Sequence, residues 1–314
     1  MSDQSTGQGS LFTQAELDDL VMLPRDRVLG EIAAQRPGSA WAVVSEVEVI
    51  WRGFLDIIRA WVDLTDQYVR ESPAAAGWRV PADGPVMPDP GLSAVSAALR
   101  SGDWSEARRS WLAADSAMTA AITSWCAHVN DVLYEVYRVG GAALLESAMR
   151  HAADHGFWAE ALPHQARQEA ADLVRGTATF LAAGPRVAMQ IWEEADRFVV
   201  QQLDCHCGRM VRAAELAGTP LPTVSGPAPI TYGLPAMTPY QVHFAVIHGQ
   251  WAIDRVGKPV PAFDCRGMGV LQGECVSYVF KDGIAVPDRF YDALGRTRTA
   301  DRSAPAPADD DLVR

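Results

Sequence analysis

The chain has 314 residues, 48% of them hydrophobic, which is enough to bury a sizeable core. Its net charge of -12 argues against a nucleic-acid partner, because binding to phosphates needs a concentrated basic surface. It has no apolar run long enough for a membrane span and no basic-then-apolar N-terminus, so we expect a cytoplasmic protein with no membrane partner.

The two ends are polar, which predicts disordered tails at residues 1–13 and 297–314 that carry no catalytic or ligand-binding residues. Between them, residues 14–183 predict a helical region. Apolar residues recur every three or four positions over residues 39–71 and again over residues 104–139. This spacing predicts two long amphipathic helices that pack through faces rich in tryptophan.

The second long helix carries the candidate catalytic residues His128, Asp131 and Glu135 on its polar face. Side chains three and four residues apart are neighbours on a helix, so a carboxylate could orient the imidazole for proton transfer. The same combination is also typical of a solvated polar face or a salt link. Function would require that this face meets a cleft.

After residue 184 the pattern changes, and alternating apolar and polar residues over 187–200 predict a β-hairpin. A charge-rich helix is the alternative. The exit strand would lead into the run DCHCG, where Cys205 and Cys207 would share one face while His206 points away. This run could therefore supply at most a pair of metal ligands.

Residues 240–280 hold the other candidate ligands. Helical spacing ends at Gly257, so His243 is predicted in the first turn of a helix. Two β-prone runs follow and place Cys265 and Cys275 across a hairpin from each other.

The chain has five cysteines, an odd number that favours thiols and metal ligands over a disulfide framework. Thiolate and imidazole donors together favour zinc, with iron as the second choice. Against this, free cysteine is often simply buried and needs no metal.

The run CRGMG at residues 265–269, with a second cysteine after it, resembles the C-terminal part of the vinyl-4-reductase domain. That domain is the small-molecule sensor of aromatic-responsive activators, and its relatives include the L-2-amino-thiazoline-4-carboxylic acid hydrolase group. Sensor members hold zinc with cysteines and an acidic residue. The resemblance implies that Cys265 and Cys275 are ligands and that His243 lies near a further one. Ala262 stands where the acid is expected, so Asp264 or a thiolate of the DCHC run would replace it.

The chain also resembles uncharacterised bacterial proteins, most clearly in the run VPDRFYDALGR at residues 286–296. Their equivalent of the DCHCG run reads Asp-Pro-Cys-Gly, which matches Cys207 rather than Cys205 to the shared cysteine. The predicted metal ligands are therefore Cys207, His243, Cys265 and Cys275, with Cys205 in place of Cys207 as the open alternative.

The expected architecture is α+β, with the helical region packed on a small antiparallel sheet in a vinyl-4-reductase-like region at residues 184–296. Two functions fit. One is a metal-dependent enzyme, hydrolytic or ring-opening, that acts on a small cyclic substrate. The other is a zinc-stabilised sensor or carrier of an aromatic or apolar molecule. The lack of an output domain favours the enzyme. The oligomeric state stays open, a homo-oligomer included.

Overall fold

The computed structural model describes residues 10–81, 84–264 and 275–298, and its first half is helical. The helices of this half are α1 (Gln14–Val21), α2 (Pro24–Ala33), α3 (Pro37–Arg70), α4 (Leu92–Ser101), α5 (Trp104–His155), α6 (Phe157–Gln165) and α7 (Ala170–Ala183). Every helix in the described ranges is too short or too polar to cross a membrane.

The two longest helices, α3 and α5, pack against each other as the tryptophan spacing predicts. Trp51 on α3 is fully buried, and its Nε1 donates to the carbonyl oxygen of Met118 on α5 at 3.2 Å. The helix α5 continues beyond the predicted end at residue 139. Gly141 interrupts it with a φ of 67°, a conformation that glycine adopts readily and that ends the first straight segment.

The second half contains the sheet and the remaining helices. Its elements are β1 (Ala188–Glu193), β2 (Arg197–Asp204), α8 (His206–Leu216), β3 (Val224–Ser225), β4 (Ala236–Met237), a π-helix (Phe244–Trp251), α9 (Ala252–Val256), β5 (Ala262–Asp264), β6 (Cys275–Phe280) and α10 (Asp288–Asp292). The main sheet has the order β1-β2-β6-β5 and is antiparallel throughout. The predicted α+β class and the β1–β2 hairpin are confirmed.

The DCHCG run differs from its prediction, because it begins a helix instead of continuing a strand. The strand β2 ends at Asp204, and Cys205 is the N-cap of α8. The Sγ of Cys205 accepts the backbone N–H of Gly208 at 3.2 Å, which satisfies one of the free N–H groups of the first helical turn. The predicted alternation of faces in this run is therefore wrong.

The N-terminal tail is shorter than predicted, because residues 10–13 belong to the fold. Phe12 is buried and its ring packs edge-on against Phe198, with 5.4 Å between the ring centroids. The backbone N–H groups of Leu11 and Phe12 donate to the carboxylate of Glu193 at 2.9 and 3.1 Å. The rest of that predicted tail, and residues 299–314 of the other, lie outside the described residues.

Glu193 also forms a buried ion pair with Lys281, with 2.7 Å between Oε1 and Nζ. Burial by itself would raise the pKa of Glu193, but Lys281 and the backbone N–H of Leu11 outweigh it and hold the pKa at about 2. One ionised carboxylate thus joins the start of the chain, β1 and the end of β6.

We expect Trp51→Ala to lower the free energy of unfolding by about 3 to 5 kcal/mol, since it leaves a cavity between α3 and α5. Urea denaturation measures the change. Val49→Ala on the same helix is the matched control, because Val49 is 72% exposed and its loss should cost less than about 0.5 kcal/mol. Similar losses in both variants would contradict the packing of Trp51.

We expect Glu193→Gln to destabilise the protein by about 3 to 5 kcal/mol, because the charge of Lys281 then stays buried without a partner. The double variant Glu193→Gln/Lys281→Met removes both charges and should recover part of that loss. Denaturant unfolding at neutral pH measures both. A double variant no more stable than the single one would show that the hydrogen bonds to residues 10–12, and not the ion pair, carry the effect.

Candidate functional site

A cavity of about 570 Å³ lies between the helices α3, α6 and α7 and the sheet. Its wall is rich in aromatic residues, which include Phe54, Trp61, Trp158, Phe180, Phe244 and Phe263. Among the described lining residues there is no lysine or arginine, and Glu160, which is exposed on α6, is the only carboxylate. The cavity therefore offers an apolar and uncharged interior with its mouth beside α6.

Three histidines and one tyrosine place polar groups among the aromatic rings of this wall. The Nε2 of His206 lies 2.8 Å from the hydroxyl oxygen of Tyr240, and the thiol of Cys126 donates to the same oxygen at 3.7 Å. The helix α8 positions His206, since that residue is the first of the helix that Cys205 caps. Tyr240 is fixed by its backbone N–H, which donates to the side-chain oxygen of Asn130 on α5 at 3.1 Å.

The other two histidines, His243 and His248, are brought together by the π-helix. They are five residues apart, and on an α-helix that spacing would turn them about 140° away from each other. The wider turn of a π-helix, with its i to i+5 hydrogen bonds, returns residues at this spacing to the same side. Both rings line the cavity, and their centroids are 5.7 Å apart.

Each of these two rings is held by a backbone carbonyl. The Nδ1 of His243 lies 2.5 Å from the carbonyl oxygen of Tyr240, and the Nδ1 of His248 lies 3.1 Å from that of Val260. A carbonyl oxygen only accepts, so both Nδ1 atoms carry the proton.

The buried titratable groups of the cavity wall, which are His206, Tyr240, His243 and His248, are neutral at physiological pH. Burial lowers the pKa of His206 and of His248 to about 4 each, and it lowers the pKa of His243 well below its usual value. Burial also raises the pKa of the Tyr240 hydroxyl well above its usual value. The cause is the same in each case, because transfer from water disfavours the charged form.

Three buried polar atoms of lining residues have no hydrogen-bond partner among the described residues. They are the Nε1 of Trp61, the Oε1 of Gln202 and the Nδ1 of His206. Each unpaired group costs about 1 to 3 kcal/mol when buried. All three side chains are more than nine-tenths buried, so a bound molecule that offers partners would remove part of this cost.

The predicted metal ligands are only partly brought together. Cys207 and Cys275 are buried, and both hydrogen-bond to Cys205. These bonds lower the pKa of the Cys205 thiol, and the bond with Cys207 has the larger effect. His243 lies instead in the aromatic wall of the cavity. Cys265 falls outside the described residues, as does the CRGMG run.

Among the described side chains, no group of three or more His, Cys, Asp or Glu residues is arranged to hold a metal ion. The three neighbouring thiols of Cys205, Cys207 and Cys275 are nevertheless donors of the kind that zinc prefers. The metal site and zinc stay predictions.

The predicted catalytic residues lie elsewhere, and none of the three is among the described residues that line the cavity. His128 is half-buried against Trp125 and lines a separate pocket of about 460 Å³ next to residues 84–87. Asp131 is exposed, and Glu135 pairs with Arg138 on the same helix at 2.8 Å. This placement agrees with the salt-linked polar face that was the alternative, and the proton-transfer role stays a prediction.

Sequence reasoning missed the polar residues that do line the cavity, above all His206, Tyr240 and His248. The spacing of His243 and His248 suggests separate faces unless a π-helix is assumed. The single local signal was the density of aromatic and histidine residues between residues 240 and 251.

The chain matches no protein-family model, curated protein or solved structure at a significant level. The resemblance to the vinyl-4-reductase domain therefore stays a prediction.

The buried histidines predict that the protein loses stability as the pH falls. As the pH falls below 6.5, these histidines become protonated in the unfolded chain, whereas in the folded protein His206 and His248 become protonated only near pH 4. The free energy of unfolding therefore decreases between these two pH values. For His206 the loss is on the order of 3 kcal/mol.

His206→Phe should reduce the slope of stability against pH by up to about 1.4 kcal/mol per pH unit between pH 6 and pH 4.5. Urea titrations at a series of pH values measure the slope. His164→Gln, at an exposed position beside the mouth, is the matched control. An unchanged slope in His206→Phe would contradict the buried neutral imidazole.

Proposed function

We propose that the protein binds a small, uncharged and largely aromatic molecule in the cavity between α3, α6, α7 and the sheet. The observation that carries this proposal is an aromatic wall in which every buried titratable group is neutral. Such a wall has the general form of a small-molecule site, which is mostly apolar with a few placed polar groups.

The size and the walls of the cavity support an aromatic ligand. Its volume of about 570 Å³ lies within the range of typical ligand pockets. Trp61 and Trp158 meet edge to face with centroids 5.4 Å apart, and Phe244 and Phe263 lie 4.4 Å apart. Rings at these distances and angles form both faces and edges against which another ring can pack favourably.

The charge balance of the wall supports an uncharged ligand. The described lining residues include no lysine or arginine to pair with an anionic ligand, and their only carboxylate is at the exposed mouth. A charged molecule in the interior would lose its hydration without gaining a partner, which costs several kcal/mol.

Binding without catalysis is the better supported of the two functions predicted from the sequence. The metal-dependent hydrolytic or ring-opening reaction relies on Cys265, which is outside the described residues, and on His128, which faces a different pocket. Binding relies on described side chains alone. These side chains support a carrier or sensor role over a catalytic one.

The uncharged fluorophore prodan, whose emission shifts to the blue in an apolar site, tests the proposal. We expect saturable binding with that shift, and energy transfer from the lining residues Trp61 and Trp158. Gly176→Trp should weaken binding at least tenfold, because Gly176 lines the cavity at an exposed position and no atom within 4 Å of an added Cβ would keep the indole out of the opening.

Gly53→Trp is the matched control. Gly53 is also helical, also open to an added side chain and exposed on α3, and it does not line the cavity. The control should bind prodan like the unaltered protein. Equal binding by both variants, or no saturable binding by the unaltered protein, would contradict the proposal.

A further inference from the structure

We infer that the π-helix side of the cavity selects ligands by their hydrogen-bond donors, and that the ligand is an arene with two adjacent O–H or N–H groups. The acceptors are the Nε2 atoms of His243 and His248. This inference rests on the proposed function and specifies its ligand class.

The tautomer of each ring follows from its backbone contact. The Nδ1 of His243 faces the carbonyl of Tyr240, and the Nδ1 of His248 faces the carbonyl of Val260, so each Nδ1 must donate its proton. A neutral imidazole has one proton, which leaves a lone pair on each Nε2. Neither Nε2 has a hydrogen-bond partner among the described residues, so both can accept from a ligand.

The π-helix places these two lone pairs on the same wall. It spans Phe244–Trp251, directly after His243, and it contains His248. The ring centroids lie 5.7 Å apart, which one small molecule can bridge. Because π-helices are rare and are frequently found at functional sites, the presence of this element supports a role for the pair that it creates.

Aromatic rings next to the pair provide the surface on which the ligand ring would lie. Phe244 contacts His243 with centroids 4.1 Å apart, and Phe263 contacts His248 at 5.4 Å. These rings restrict the two imidazoles, so the direction of each lone pair is fixed before a ligand arrives. Pre-ordered acceptors reject a ligand without donors more strongly than flexible ones do.

The same lone pairs could bind a divalent metal ion, which is the competing explanation. A ligand His commonly donates its other N–H to a carbonyl, as both rings do here. However, no described His, Cys, Asp or Glu residue completes a group of three that could hold an ion. The described residues therefore favour a donor-bearing arene over a metal.

Displacement of prodan by matched naphthalenes tests the inference. The pair is 2,3-dihydroxynaphthalene and 2,3-dimethoxynaphthalene, which differ in their donors, and 2,3-diaminonaphthalene distinguishes N–H from O–H donors. We expect the diol or the diamine to displace prodan at a concentration roughly 5- to 100-fold lower than the diether, as two hydrogen bonds imply.

Substitutions that keep a donor in place of Nδ1 but remove Nε2 identify the acceptor atoms. In His243→Asn and His248→Asn, the amide can still donate to the backbone carbonyl but nothing replaces Nε2, so the preference for donors should fall about three- to tenfold in each. His248→Gln can place an amide oxygen near the position of Nε2 and should restore part of it. His155→Asn should keep the full preference, because His155 is exposed, its Nδ1 also faces a backbone carbonyl, and it is not among the described residues that line the cavity.

Three results would overturn the inference. One is equal displacement by the diol, the diamine and the diether while prodan still binds, which would leave the proposed function intact. Another is a preference for donors that survives in both Asn variants. The third is binding of Co²⁺ alone by the unaltered protein and not by the Asn variants, which would assign the pair to a metal. If prodan does not bind to the unaltered protein, the proposed function is contradicted, and the inference that rests on it is contradicted too.

Discussion

The structure depends on one constraint, which is that imidazole and phenol groups buried among aromatic rings must stay uncharged and still find hydrogen-bond partners. His243 and His248 meet it through backbone carbonyls, and the Nε2 of His206 and the hydroxyl of Tyr240 meet it through each other, whereas the Nδ1 of His206 has no partner among the described residues. Each solution needs a particular backbone path. The path is a π-helix in the first case and a capped helix start directly after a strand in the second.

The wall of the cavity is assembled from segments far apart in the chain, and a few buried contacts hold them in place. The hydrogen bond from Trp51 to Met118 joins the two long helices, and Glu193 joins the N-terminal segment to β1 and, through Lys281, to the end of β6. These contacts lie outside the cavity wall. The shape of the site is therefore maintained by residues that no ligand touches.

The elements predicted well from sequence were those whose pattern is local. The 3.6-residue period of α3 and α5, and the alternation in the β1–β2 hairpin, arise from which side of each element meets the core. The start of α8 was missed because a thiol cap at Cys205 competes with strand continuation, and only the surrounding packing decides between them. Residues 10–13 are held in the fold by Glu193, which is some 180 positions away in the chain. No local sequence pattern shows such a contact.

The site was predicted less well than the fold, for a related physical reason. Spacing placed His128, Asp131 and Glu135 on one helix face, but it could not show that the cavity lies elsewhere. His243 was identified as a ligand-like residue, whereas its neighbour His248 was not, because the spacing was interpreted with the 3.6-residue period of an α-helix and not with the wider turn of a rare π-helix.

Because the buried groups of the cavity wall are neutral, they neither take up nor release protons over a wide range of pH. Burial lowers the pKa of His206 and of His248 to about 4, lowers the pKa of His243 well below its usual value and raises the pKa of the Tyr240 hydroxyl well above its usual value, so none of these four buried lining groups changes protonation near neutrality. Uptake of an uncharged molecule by these groups therefore neither releases nor consumes protons. Calorimetric heats would then carry no contribution from buffer ionisation, and occupancy would follow the concentration of the ligand rather than the acidity of the medium.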